Sequence, residues 1–198
     1  MAYPNHNEAQ ARTAFQAHVE AIFFNAIRGA HQDYQSGYSP QQRLIHSKRT
    51  RATILYDHAR ARLDVGLAGV SGVHVLTYRG LTMVILDDQF LIKIPKKLSR
   101  RFLSRTYPTE QTLAFMTHTS QESFPFLHNR TSVIVGYLSN DIDAEAVEIW
   151  ATCPDGSGRN HWKFQLQPAA GHGVGTIGPS TSLPPSPFSD ADANEQGG

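Results

Sequence analysis

The chain has 198 residues, a formal net charge of +1 and a single cysteine, Cys153, which excludes an internal disulfide and a multi-cysteine zinc site. It holds no apolar run near the ~20 residues that a membrane-spanning helix needs, and its start, MAYPNHNEAQAR, lacks the charged-then-apolar pattern of a secretory signal. The expectation is a cytoplasmic protein without a membrane partner. The small net charge hides an asymmetry, because all 18 Lys and Arg precede residue 168, against 14 acids, leaving the body at +4. Such a body permits an acidic protein or a nucleic acid as partner without requiring one.

In chain order, residues 8–31 read as one long amphipathic helix, with Phe15, Val19, Ile22, Phe23, Ala26 and Ile27 along a broad apolar stripe. Phe24 lies off that stripe, and burial within the domain is the commoner reading of it. Gly29 and Gly37 bracket a polar connection. Ser39 and Pro40 suit the cap and first residue of a second helix, expected to run to about Leu63 with Ile45, Ala52, Tyr56, Ala59 and Leu63 on one face. Its other faces are cationic: Arg43, Lys48, Arg49, Arg51, Arg60 and Arg62 stand against Asp57 and Asp64. This is either a solvated face or a contact surface. His46 and His58 roughly share a side but have no third ligand, so they read as ordinary polar residues.

Glycine-punctuated loop covers 65–72, and the period then changes from helical to alternating. Residues 73–78, 81–86 and 90–94 read as three strands, separated by Arg79-Gly80 and Asp87-Asp88, both turn chemistry. An antiparallel meander is the economical pairing. The nearly all-apolar stretch 81–86 suits a central strand.

The most distinctive stretch is 90–118, FLIKIPKKLSRRFLSRTYPTEQTLAFMTH. Phe90, Ile92 and Ile94 alternate with Leu91 and Lys93, and Pro95, having no N–H to donate, is expected to end the pairing. Six cations lie here, Lys93, Lys96, Lys97, Arg100, Arg101 and Arg105, with no acid between Asp88 and Glu110. A short helix follows, with Thr106 or Tyr107 as cap, Pro108 in the first turn, Glu110 at its positive end, and Leu113, Phe115 and Met116 as its apolar side. Beyond it, Phe124-Pro125-Phe126-Leu127 reads as an apolar loop plugging the core edge. Residues 131–138, 145–152 and 161–167 read as three more strands, with turns at Ser139-Asn140-Asp141 and Cys153-Pro154-Asp155-Gly156. Trp162, Phe164 and Leu166 alternate as a half-buried strand does. Residues 168–198 are rich in Gly, Pro and Ser and read as a disordered tail.

No phosphate-loop, dinucleotide, zinc-helix or nucleophile-elbow pattern occurs. The run GHGVGTIG at 171–178 is glycine-rich but lacks a strand-to-helix setting. Asp87-Asp88 with Lys93 resembles the acid-plus-lysine arrangement of metal-dependent nucleases, although Asp-Asp at a hairpin tip is ordinary turn chemistry. Cys153 would need a neighbouring base to become a nucleophile, and His161 could approach it across the hairpin, with no third group to orient it. His74, His118, His128 and His161 lie near the expected sheet, and nothing selects among them for acid–base chemistry. No catalytic residue, metal or cofactor is indicated.

The segments FLIKIPKKL, LSRTYPTEQTLAF, VGYLSN, VEIWATCPDG and HWKFQL resemble a family of small uncharacterised bacterial proteins. That family carries an R/K-F-K-K-L…S-R-N-x-P-T-x-Q-A-x-x-F core, then G-Y-x-L, T-C-P-x-G and a Trp-containing last strand. The resemblance covers about 73–167. Phe90, Lys93, Lys96, Lys97, Leu98, Ser104, Arg105, Pro108, Thr109, Gln111 and Phe115 fit the core, and Gly136, Tyr137, Cys153, Pro154, Gly156 and Trp162 fit the later blocks. The chain departs at Tyr107 and Thr112 and in its long tail. The resemblance implies a toxin–antitoxin or phage-related setting and assigns no catalytic residue.

The expected fold is α+β: two N-terminal helices packed on a mostly antiparallel sheet with one inserted short helix. It forms a single domain over 1–167, helical over 8–64 and sheet over 73–167. The expected function is that of an intracellular binding protein, a component of a bacterial toxin–antitoxin-like or regulatory system. It would contact an acidic protein (a cognate toxin or antitoxin) or a nucleic acid through Lys93, Lys96, Lys97, Arg100, Arg101 and Arg105, helped by Lys48, Arg49 and Arg51. The alternative is a nuclease or other phosphoryl-acting toxin that uses histidine chemistry.

Overall fold

Local chemistry at the N-terminus starts the fold. Asn7 and Gln10 form a reciprocal capping box, each side chain accepting from the other's backbone N–H at 3.0 and 2.9 Å. In a computed structural model, which describes residues 4–78, 81–104, 109–118, 129–138 and 147–168 (the side chains of Pro95, Lys96 and Gln111 excepted), this box opens helix α1, Glu8–His18. The expected single helix over 8–31 is two. Val19 leaves the helical region at φ −131°, and α2 runs Glu20–Gly37. The hydrogen bonding hardly breaks, since Val19 N–H still donates to Phe15 and Phe23 N–H to Val19. The bend lets α1 set Phe15 edge-on to Phe164 at 5.5 Å while α2 lies along a later helix, which one straight rod could not do. Glu20 pins the bend by accepting from Gln167 N–H at 2.8 Å.

The second expected helix also divides. Ser39 and Gln42 make a capping box for α3, Pro40–Ile45; His46 is extended; Ser47 then accepts from Thr50 N–H and caps α4, Lys48–Gly66. The fold therefore has four N-terminal helices where two were expected, and its α+β class stands.

Among the described residues, six strands form one sheet in the order β1 (Val73–Tyr78), β2 (Leu81–Leu86), β3 (Phe90–Lys97), β4 (Thr131–Leu138), β5 (Glu148–Pro154), β6 (Asn160–Gln165). All neighbours are antiparallel except β3 and β4, which are parallel. A parallel pair needs a crossover rather than a hairpin. The segment between them supplies it and contains α5, Glu110–Thr117. The cap of α5 is Thr109, which accepts from Thr112 N–H, rather than Thr106 or Tyr107. Its buried residues are Ala114 and Phe115, whereas Leu113 is half exposed. The last turn also moves: Cys153 and Pro154 lie in β5, and Asp155 builds the turn by accepting from Ser157 and Arg159 N–H.

Side-chain alternation sorts the sheet into two faces. Val84, Leu86, Phe90, Ile92, Val133, Val135, Tyr137, Ile149, Ala151, Trp162 and Phe164 face the N-terminal helices, where Phe15, Phe23, Ile27 and Leu63 complete the main core. Met83, Ile85, Leu91 and Ile134 face the other way and meet Leu98, Ala114 and Phe115. Being covered on both faces is why β2 could be almost wholly apolar.

Pro95 does not end β3. Lys93 stands beside Ile134 and Lys96 beside Gly136, so two residues, Ile94 and Pro95, oppose the single Val135 in a β-bulge. A bulge tolerates the missing N–H. It also flips the alternation, and Lys97 comes to stand beside Tyr137 on the helix-covered face. The expected loop at 124–127, the turns at 79–80 and 139–141, and the tail from 169 lie outside the described residues.

A candidate anion-binding surface at one end of the sheet

The nine basic residues singled out in the sequence part company in three dimensions. Lys93 is buried, 7% exposed, with its ammonium 5.7 Å from the Phe115 ring centre, and so does not belong to any outer surface. Lys96 pairs with Gly136 through its backbone, and its side chain, like the whole of Arg105, lies outside the described residues. Lys97, Arg100 and Arg101 are exposed, as are Lys48 and Arg49, while Arg51 is half buried.

The loop that presents Arg100 and Arg101 is tightly held. Leu98 bridges Ser104, Phe102 N–H donates to the Ser99 carbonyl, and Leu103 N–H donates to the Ser99 hydroxyl. Phe102 takes a positive φ of 62° and packs edge-on against Trp150 at 4.7 Å. Lys163 covers its ring with an ammonium 3.4 Å from the centre, and Asn160 donates to its carbonyl. The two arginines thus project from a clamped turn.

The helical cations meet the end of β3 around a group of rings. His31 of α2 packs T-shaped on Tyr137 at 4.6 Å. Tyr34, one turn later, exchanges a 2.9 Å hydrogen bond with His46, and Tyr38 packs on both. Burial and nearby charges together set the ionisation of these rings. Burial pushes the Tyr137 hydroxyl up to about 12, with Arg51 pulling the other way. Burial also raises Tyr34, opposed by Arg51 and Arg43. Burial lowers His31 to about 4, and Lys97 adds to that. The N-terminus of α4 and the end of β3, far apart in sequence, therefore act on one place. The His31 Nε2 atom is buried there without a hydrogen-bond partner among the described residues.

Charge pairing divides the cations, although Arg28 and Arg159, outside this surface, also form no ion pair among the described residues. Arg12, Arg60, Arg62 and Arg130 each hold a carboxylate, and Arg62 grips Asp33 with two bonds of 2.8 and 2.7 Å. Arg60 and Arg62, expected in the cationic face, are neutralised in this way. Among the described residues, Lys48, Arg49, Arg51, Lys97, Arg100 and Arg101 form no ion pair. Three of them crowd the first turn or so of α4, which has no acid in that turn. A helix N-terminus is already positive, so cations there lower stability, by about 0.3–1 kcal/mol each.

The catalytic alternatives find other partners. His118 rather than His161 approaches Cys153, with Nε2 3.5 Å from Sγ. Its Nδ1 accepts from Ser132 N–H, so Nε2 carries the proton and gives it to the Pro154 carbonyl at 2.8 Å. Burial first, then Asp155, pushes the Cys153 thiol up, which disfavours a thiolate. Asp87 faces His18 at 3.6 Å, Asp88 pairs with Arg130, and Lys93 sits in the core under α5, which takes the acid-plus-lysine arrangement apart. Among the described residues no three of His, Cys, Asp and Glu are placed to share a metal ion, and no helix is long and apolar enough to cross a membrane. Comparison of the chain with protein families, with curated proteins and with solved structures finds no match in any of the three.

Proposed function

We propose that this chain is a binding protein that engages an anionic macromolecule, an acidic protein or a nucleic acid, through the cationic end of its sheet. One observation carries the reading. At the α4 N-terminus, the end of β3 and the turn after it, six cations form no ion pair among the described residues, three of them where the α4 N-terminus makes them unfavourable, while Arg12, Arg60, Arg62 and Arg130 are paired. Charge left uncompensated at a cost in stability suits a ligand that compensates it on binding. A regulatory or toxin–antitoxin pair in the cytoplasm is the setting that fits, with the partner supplying the acids. The single buried, unbridged cysteine suits that compartment.

The test replaces Lys48, Arg49, Arg100 and Arg101 by Ser and titrates both proteins with a labelled single-stranded oligonucleotide and with a Glu/Asp-rich peptide. Wild type should bind at least one of the two, and the variant should lose at least about tenfold, with a flatter dependence on salt. The variant should be as stable as wild type or slightly more so, because exposed unpaired charges contribute little. Equal binding by a folded variant refutes the proposal. Shortening of the oligonucleotide would point to the nuclease alternative.

A further inference from the structure

The six-residue helix α3 buries none of its residues, and its two large apolar side chains, Leu44 and Ile45, are 73% and 82% exposed. Such a short helix is marginal by itself. Here both ends are nonetheless secured. The Ser39–Gln42 box closes one end with bonds of 2.8 and 3.2 Å, and Pro40 presets its first turn. At the other end His46 is bonded to the Tyr34 hydroxyl and packed T-shaped on Tyr38 at 4.9 Å. The chain thus holds rigid a helix from which its own core gains nothing. Two adjacent exposed aliphatic residues on a pre-ordered support suit a contact better than a solvated face.

Charge identifies what would cover it. From Tyr34 to Tyr56 there is no acid, while Arg43, Lys48, Arg49 and Arg51 all fall in that stretch. Lys48 and Arg49 are exposed within a few residues of Leu44 and Ile45. A second copy of the chain docking by this face would bring these cations against themselves. A phosphate backbone would meet the cations but offer nothing to the two aliphatic side chains. We propose that the α3–α4 corner docks an acidic segment of a partner protein that also presents apolar side chains, seated on Leu44 and Ile45 and flanked by Lys48 and Arg49. This deepens the anion-binding reading and rests on it.

The test selects a displayed random-peptide library against the full-length protein, then measures the enriched peptides against wild type, Leu44→Ser/Ile45→Ser and Lys48→Ser/Arg49→Ser. A single-stranded oligonucleotide and anionic phospholipid vesicles serve as further probes. Because α3 buries nothing, both variants should keep the wild-type fold by circular dichroism and thermal melting. The enriched peptides should combine Asp or Glu with spaced apolar residues. Each double variant should weaken them at least about tenfold, and the Leu44/Ile45 variant should leave oligonucleotide binding unchanged. Peptides enriched in acids alone, or indifferent to Leu44→Ser/Ile45→Ser, overturn this inference and leave the anion reading standing. Peptides and oligonucleotide both indifferent to Lys48→Ser/Arg49→Ser overturn both. Vesicle binding that depends on Leu44 and Ile45 assigns the corner to a membrane surface and overturns the protein partner.

Discussion

Replacing His31 by Phe should flatten the acid side of the protein's stability curve. The imidazole is mostly buried against Tyr137, its Nε2 has no partner among the described residues, and Lys97 stands close enough to oppose a positive ring. In the unfolded chain this histidine protonates near pH 6.5; in the folded protein it does so only at about 4. Between those values the unfolded state holds a proton that the folded state lacks, so stability falls as pH falls through that window. Above pH 6.5 the ring is neutral in both states and nothing is lost; below about 4 both are charged and the loss stops growing. At about 1.4 kcal/mol per pH unit, the gap is worth about 3 kcal/mol. Phe keeps an aromatic ring on Tyr137 and cannot titrate. Other groups contribute on the acid side, including His118 and His6, whose pKa values burial also lowers. The informative quantity is therefore the difference between two proteins. In urea unfolding from pH 7 to about pH 4, wild type should lose about 3 kcal/mol more than His31→Phe. Parallel stability curves would show that the ring is solvated and the account of this surface wrong. Neutralising Lys97 by Gln removes the second cause, so the His31 resonance should titrate at a higher pH in an NMR series.

Two further substitutions test the scaffold that carries the surface. Phe164 is 2% exposed, sits between Phe15 and Trp162 and lies under the Arg12 guanidinium at 4.7 Å. Its truncation to Ala should cost about 3–5 kcal/mol in denaturant unfolding, and a cost below about 1 kcal/mol would contradict the assigned face of β6. Gly156 has a φ of +77°, and a Cβ there would lie 2.7 Å from a Thr117 methyl. Gly156→Ala should therefore cost about 1–3 kcal/mol and loosen α5, with an unchanged melting temperature counting against the packing of the turn on that helix.

The strands were the legible part. Residues 131–138, 73–78 and 81–86 match β4, β1 and β2 because turn residues bound them or their alternation is plain. The helices were misjudged where tertiary contacts override a continuous pattern. The stripe through Val19 runs on at helical spacing, and only the need to reach both β6 and α4 bends it. The division before α4 had a local sign, Ser47 followed three residues later by Thr50, which the stronger Ser39-Pro40 signal masked. Among the cations, pairing of Arg60 with Asp64 could be read from the four-residue spacing. Pairing of Arg62 with Asp33 could not, since 29 residues separate them. Likewise the meeting of Arg51, Lys97, His31 and Tyr137 depends on a bulge and a helix crossing that no short pattern records.

That bulge links the fold to the surface. With strict alternation from Lys93, Lys97 would fall on the α5 face, remote from the helices. The extra residue at Ile94-Pro95 turns it instead toward Tyr137 and His31. Neither ring can neutralise it, because the phenol stays protonated to about 12 and the imidazole is already neutral at pH 7. Arg51 arrives from α4 under the same terms. Three cations at the α4 N-terminus, at about 0.3–1 kcal/mol each, represent roughly 1–3 kcal/mol of stability not taken. For a domain whose whole margin is about 5–15 kcal/mol, that is a substantial share. A carboxylate at position 48 or 49 would remove the strain at once, by favouring the dipole and pairing with its neighbours. The arrangement is consistent with a charge deficit that an incoming anion fills, and on that view the ligand should stabilise the fold as it binds.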